Sequence, residues 1–176
     1  QRANELYDYI QDLKVEIVTT AEGVDSKALL PDNQIDINKI KKIDENNIPS
    51  EILIGAHQDG KGNDLKAQIE DFREYLIETL EGKDPSAERS ILDILNTDDP
   101  VNLEGTGTEK WVTANFQTLP LIAALTMLSK MQVDIRNAET DALNFLYTQI
   151  DAGSFRFNAI VPTVTTNTSY VMQGNE

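Results

Sequence analysis

Residues 120–153 read PLIAALTMLSKMQVDIRNAETDALNFLYTQIDAG. Within them Leu121, Ala124, Leu128, Met131, Ile135, Ala138, Ala142 and Phe145 recur at alternating steps of three and four, which lays one apolar seam along an α-helix. Pro120 suits the first turn of such a helix, where its missing N–H has no partner to lose, and Gly153 is a natural stop. The pattern predicts one helix from about Pro120 to Ala152. At about 1.5 Å per residue, some 32 residues span roughly 48 Å, longer than a small compact domain requires. Such a length suits spacing more than enclosing. Most of the seam fits an intrachain bundle core, and its outer turns are placed to contact a second subunit.

Working back toward the N-terminus, Trp111 and Phe116 lead into this helix, where aromatic residues act as core anchors more often than as a stacking platform. Asn96 to Glu109, rich in Asp, Asn, Thr and Gly, is expected to form an exposed crossing loop. Asp84-Pro85 supplies a cap and a first-turn proline for a short helix whose apolar side is Ile91, Leu92 and Leu95. Leu65, Ile69, Phe72, Leu76 and Leu80 predict an amphipathic helix from Asn63, closed by Gly82. Arg2 to Glu22 carries Leu6, Ile10, Leu13 and Ile17 on one stripe, widened by Tyr9 and Val18, with Gly23 as its end. No cap or turn precedes it, as expected of a helix continuing from further upstream. Between Gly23 and Ala56 the pattern is weak. Leu29 to Asn33 reads as a connection, Ile37, Ile40 and Ile43 as a short helix, and the apolar run Glu51 to Gly55 as either strand or buried loop.

Beyond Gly153 the period changes to two. Phe155, Phe157 and Ala159 alternate with polar residues, and Val164 to Thr166 and Tyr170 to Met172 are strand formers. A pair of strands is marginal alone in water, so residues 154–176 are expected to open a second, β-rich domain after a helical bundle over 1–153. The fold class is then mainly α: an antiparallel helical bundle with one long C-terminal helix, followed by the first strands of a β-sandwich-like domain.

Composition narrows function mainly by exclusion. Fifteen Lys and Arg against thirty Asp and Glu give a net charge of -15, a field that repels nucleic acid and anionic membrane surfaces. Spread over several helices, the same charge solvates their outer faces. Cysteine is absent, which removes disulfides, thiolate metal sites and Cys nucleophiles together. No apolar run approaches the roughly 20 residues needed to cross a bilayer.

No chemical motif is complete. His57 is the single histidine and lies in a polar loop without an identifiable partner. Asp59 to Glu70 has the ends of a calcium loop, with Asn63 at its fifth position. Lys61 stands where an oxygen ligand is needed, and Asp64 replaces the turn glycine. Gly105-Thr106-Gly107 has neither the spacing nor the context of a phosphate-binding loop. Asp98-Asp99, before Pro100, has the look of two carboxylates facing water, and Asn167-Thr168-Ser169 is a sequon by pattern only. No catalytic, cofactor or metal residue is expected, and no nucleic acid or small-molecule substrate. The rival to a structural role is a ligand-sensing helical-bundle ectodomain of a membrane receptor, which requires a concave pocket with convergent polar groups.

Trp111, Phe116, Leu119-Pro120-Leu121 and the run Ala124 to Asp134 resemble the end of the N-terminal periplasmic domain of the GldM/PorM family of gliding-motility and type IX secretion proteins. Phe157 to Pro162 and Tyr170 to Glu176 look like the entry into that family's β-rich second domain, and Pro49 to Asp64 is similar as well. The specific likeness covers about the last third of the chain. It implies a homodimer anchored in the inner membrane by an N-terminal helix, with four periplasmic domains reaching toward an outer-membrane-associated ring. The implied partners are a GldL/PorL-type membrane protein, which with that helix forms a proton-driven motor, and GldK/GldN (PorK/PorN)-type ring proteins. The motor's intramembrane ionisable residues lie outside this sequence.

Overall fold

A computed structural model describes residues 1–102 and 105–155, the last five by backbone alone. Arg2–Glu22 form α1, whose stripe of Leu6, Ile10, Leu13, Ile17 and Val18 is buried and whose C-terminus is closed by Gly23 at φ 91°. The chain then folds back through an isolated bridge between Leu29 and Ile35, turning on Asp32 and Asn33 at φ 62° and 57°, a left-handed conformation these residue types tolerate. Ile37–Lys39 make only a single 3₁₀ turn, shorter than the helix expected there.

Asn47–Leu53 form α2, so the apolar run read as strand or buried loop is mostly helix. Its start is set by Glu45, which accepts from the Asn47 N–H at 2.8 Å, and Pro49 sits in a first turn that has no carbonyl to lose. Seven residues are too few for a helical period to show.

Lys61–Leu80 form α3, Pro85–Ile94 α4, Trp111–Phe116 α5 and Leu121–Phe155 α6. The α3–α4 turn uses left-handed Glu81 and Gly82, and α4 begins with Asp84 accepting from Ser86 N–H and Ala87 N–H. Ile91 and Leu95 are buried, whereas Leu92, expected beside them, is 42% exposed. It lies one residue beyond the buried edge of the helix. Trp111 and Phe116 are core anchors, meeting edge to face at 6.0 Å. All eight seam residues of α6 are buried. This helix passes through Gly153 to Phe155, so the glycine does not stop it. At about 1.5 Å per residue its 35 residues extend roughly 52 Å.

Side-chain pairs fix the helix directions. Lys14 reaches Ser129 while Asn4 reaches Arg136, so α1 and α6 are antiparallel. Arg2 lies over Tyr75 while Lys61 pairs with Glu16, so α1 and α3 are antiparallel as well. Ser90 donates to Asp141, and α4 packs along α6 on another side. The structure is therefore a bundle in which α6 touches each other long helix. Among the described residues β-structure is limited to two isolated bridges, Leu29 with Ile35 and Val101 with Thr108. Ser154 and Phe155, expected to open the second domain, instead belong to α6; the expected strands of 156–176 lie outside the described residues.

The first turn of α3 passes close beneath α2. A Cβ on Gly62 would stand 2.6 Å from the Leu53 carbonyl oxygen and 2.6 Å from Val112 Cγ1. Gly62→Ala should therefore destabilise by about 1–3 kcal/mol despite alanine's better helix propensity. Urea unfolding should show a lower midpoint at unchanged slope; equal or higher stability would mean the contact is looser than described.

Candidate functional site

The residues singled out as chemical candidates are not brought together. His57 is exposed in the turn after α2. Asp59 precedes α3, while Glu70 lies in its middle and accepts from Thr97 Oγ1 at 2.9 Å, so helix occupies the would-be calcium loop. Gly105 to Gly107 form an exposed bend. Among the described residues no group of three or more His, Asp or Glu could hold a metal, and no helix is long and apolar enough to cross a membrane. Asp99 does more than face water. It accepts from Trp111 N–H at 2.9 Å and Lys66 Nζ at 3.0 Å, which holds its carboxyl below the usual range and clamps the crossing loop to α3 and α5.

Ligand pockets typically measure about 300–1,000 Å³ and enclose most of their guest. A recess lined by Trp111, Met127, Met131 and Ile135 holds about 120 Å³. Spaces of about 320 to 480 Å³ are grooves open to solvent between helix ridges. This geometry does not favour a sensing cavity. The features left to describe are the two ends of the bundle and the seam between them.

At one end, where α1 finishes and α6 begins, backbone groups are tied across the connection. Leu121 N–H and Ile122 N–H, which no preceding helical turn can satisfy, donate to the carbonyls of Glu45 at 2.6 Å and Ile43 at 3.3 Å. Lys42 Nζ donates to the Ala21 carbonyl at 2.5 Å, and Glu22 accepts from the N–H groups of Lys41 and Lys42. Burial would raise the Glu22 carboxyl, but hydrogen bonds from Ser26 and from those two N–H groups outweigh it and hold the group below its ordinary value.

In the middle, α1 and α6 share a buried polar layer. Lys14 is 9% exposed and donates to Ser129 Oγ at 3.1 Å and Gln132 Oε1 at 2.7 Å. Burial lowers its pKa. Gln132, 3% exposed, donates in turn to the Tyr7 carbonyl at 3.0 Å and Gln11 Oε1 at 3.3 Å. Neither residue was expected in a functional role.

At the other end α6 leaves the bundle. Among the residues whose burial is described, Phe145 is its last buried one, and every residue from Leu146 to Ile150 is exposed. Leu143, Leu146, Tyr147 and Ile150 recur at helical spacing and form a second apolar stripe, with Tyr147 and Ile150 each 66% exposed. Beside its start lies a groove of about 480 Å³ between the beginning of α1 and the end of α3, where Tyr75 carries Arg2 over its ring at 4.3 Å. This stripe is distinct from the seam, whose outer turns were expected to contact a second subunit and whose eight residues are all buried.

Residues 1–149 match the family model described as the GldM N-terminal domain. No curated protein matches the chain.

The lowered pKa of Glu22 makes the tied end sensitive to acid. In the unfolded chain its carboxyl returns to about 4.5, so its contribution is present above that value and is lost as pH falls through the folded pKa. At pH 7, Glu22→Gln should cost about 1 kcal/mol after allowance for screening, or roughly 2–4 °C in melting temperature. Thermal melts from pH 7 to 3 should show the gap closing below about pH 4; a constant gap would mean the ionised carboxylate is not what caps the backbone.

Proposed function

Because the chain belongs to the GldM family through its N-terminal domain, we propose that it is a non-catalytic, force-transmitting periplasmic component of the gliding-motility and type IX protein secretion machinery. The observation that carries this reading is α6: one unbroken helix of 35 residues, clasped by the bundle along a buried seam, that runs out of it with an uncovered apolar stripe. A helix bonded at one end and free at the other passes displacement along its axis, because stretching or bending it strains backbone hydrogen bonds throughout its length.

In this reading a helix upstream of α1 anchors the protein in the inner membrane and meets a GldL/PorL-type motor partner. Distal domains reach GldK/GldN (PorK/PorN)-type ring proteins. Residues 156–176 open the next domain, β-rich by its strand-forming residues, so that α6 is the mechanical link between the two. The protein works as a homodimer, and Leu143, Leu146, Tyr147 and Ile150 give the second protomer an apolar face to grip.

The test is Tyr147→Asp/Ile150→Asp in the full-length protein, in its natural host. Both side chains are well exposed, so the melting temperature should stay within about 1 °C, while secretion of substrate proteins should collapse. A stable variant that secretes normally would show that load does not leave the bundle along this surface.

A further inference from the structure

The polar layer between α1 and α6 is a poor source of stability. Lys14 has no carboxylate partner in it, only the neutral oxygens of Ser129 and Gln132. Replacing buried polar groups with apolar residues of similar volume is often neutral or stabilising. Its value lies in direction. Apolar contacts are non-directional, and a seam of Leu, Ile and Ala presents similar partners after a shift of one helical turn. Hydrogen bonds do not.

We propose that Lys14, Ser129 and Gln132 form a register key that restricts α1 to a single axial position on α6. Positions four residues apart lie one turn apart on the same face, so both slipped alternatives can be read from the chain. Slipping one turn toward the N-terminus of α6 sets Lys14 against Leu125 and Leu128, two buried leucines that leave the ammonium without an acceptor. Slipping one turn the other way sets it against Val133 and Arg136, where a second cation stands. Of the three positions, only the native one sets Lys14 against two neutral side-chain acceptors, since at the last the nearby Glu139 carboxylate is already held by Arg136.

Neighbouring bonds extend the key in both directions. Arg136 donates to Asn4 Oδ1 at 2.8 Å and lies over the Tyr7 ring at 4.8 Å. Gln11, which accepts from Gln132, donates onward to the Asn33 carbonyl at 2.5 Å, so the turn after α1 is registered as well. That the paired helices then bear load as one strut rests on the proposed function; the fixed register does not.

The natural absence of cysteine allows the register to be measured directly, because spin labels attach only where a cysteine is introduced. Thr20→Cys on α1 and Asn137→Cys on α6 are exposed and outside the layer. In the purified chain, pulsed electron–electron resonance should give one narrow distance. Lys14→Met/Gln132→Leu should melt at the same temperature or higher, yet show a second distance displaced by about one helical turn, ~5 Å. The exchanged pair Lys14→Gln/Gln132→Lys should restore the single distance. A single unchanged distance in the apolar variant would overturn the proposal. Loss of that variant's helical melt would overturn it too, by making the layer a requirement for folding. Because the readout is register alone, its failure is distinguishable from failure of the secretion reading.

Discussion

The antiparallel contact of α1 with α6 is the constraint on which the rest of the molecule depends. Every other long helix packs against α6, and α1 covers the stretch of its seam that runs back from Arg136. Fully burying a Leu or Ile contributes about 1.5–3 kcal/mol, and this interface takes Ile10, Leu13 and Ile17 from one helix and Leu121, Leu128 and Ile135 from the other to less than 3% exposure. Without α1, α6 would expose a second apolar stripe, and the connection would lose its bonds to Glu22 and to the Ala21 carbonyl.

The acidic character of the chain contributes little to this. The ion pairs among the described residues are at least partly solvated, and such pairs are worth about 0–1 kcal/mol each. The carboxylates with structural consequences are those that accept backbone N–H groups, among them Glu22 at Lys41 and Lys42, Glu45 at the start of α2, Asp84 at the start of α4, and Asp99 at the start of α5. Each satisfies donors that a helix or turn leaves unpaired, and Glu22 and Asp99 also join segments well separated in sequence. Acid groups that elsewhere serve catalysis serve here as fasteners.

The long helices were legible in the sequence because period and burial agree. The bounds of α1 follow from its stripe and Gly23, and all eight seam positions of α6 are in the core. The short helices α2 and α5 were not legible, because six or seven residues complete too few turns to display a period. Gly153 misled because a single glycine costs a helix only about 1 kcal/mol, which an established helix can absorb. Leu92 misled because a hydrophobic residue adjacent to a buried face need not belong to it. The polar layer did leave a trace. Lys14 falls four residues after Ile10 and three before Ile17, and Gln132 four after Leu128 and three before Ile135, so each interrupts an apolar stripe at a position where solvent was not to be expected.

That interruption joins the fold to its mechanical reading. A purely apolar interface resists separation strongly, because parting the helices exposes its whole area to water, but it resists sliding weakly, since a leucine displaced by one turn meets another leucine. A bundle that only needed to stay folded would lose nothing by that. One whose long helix carries displacement from end to end would lose part of each stroke to slippage between its members. Directional hydrogen bonds at a few points, at the buried Lys14 and Gln132, at the half-exposed Arg136, and again where Leu121 and Ile122 bond to Glu45 and Ile43, resist the motion that the apolar seam tolerates. The apolar residues keep the helices together, and the sparse polar ones keep them level.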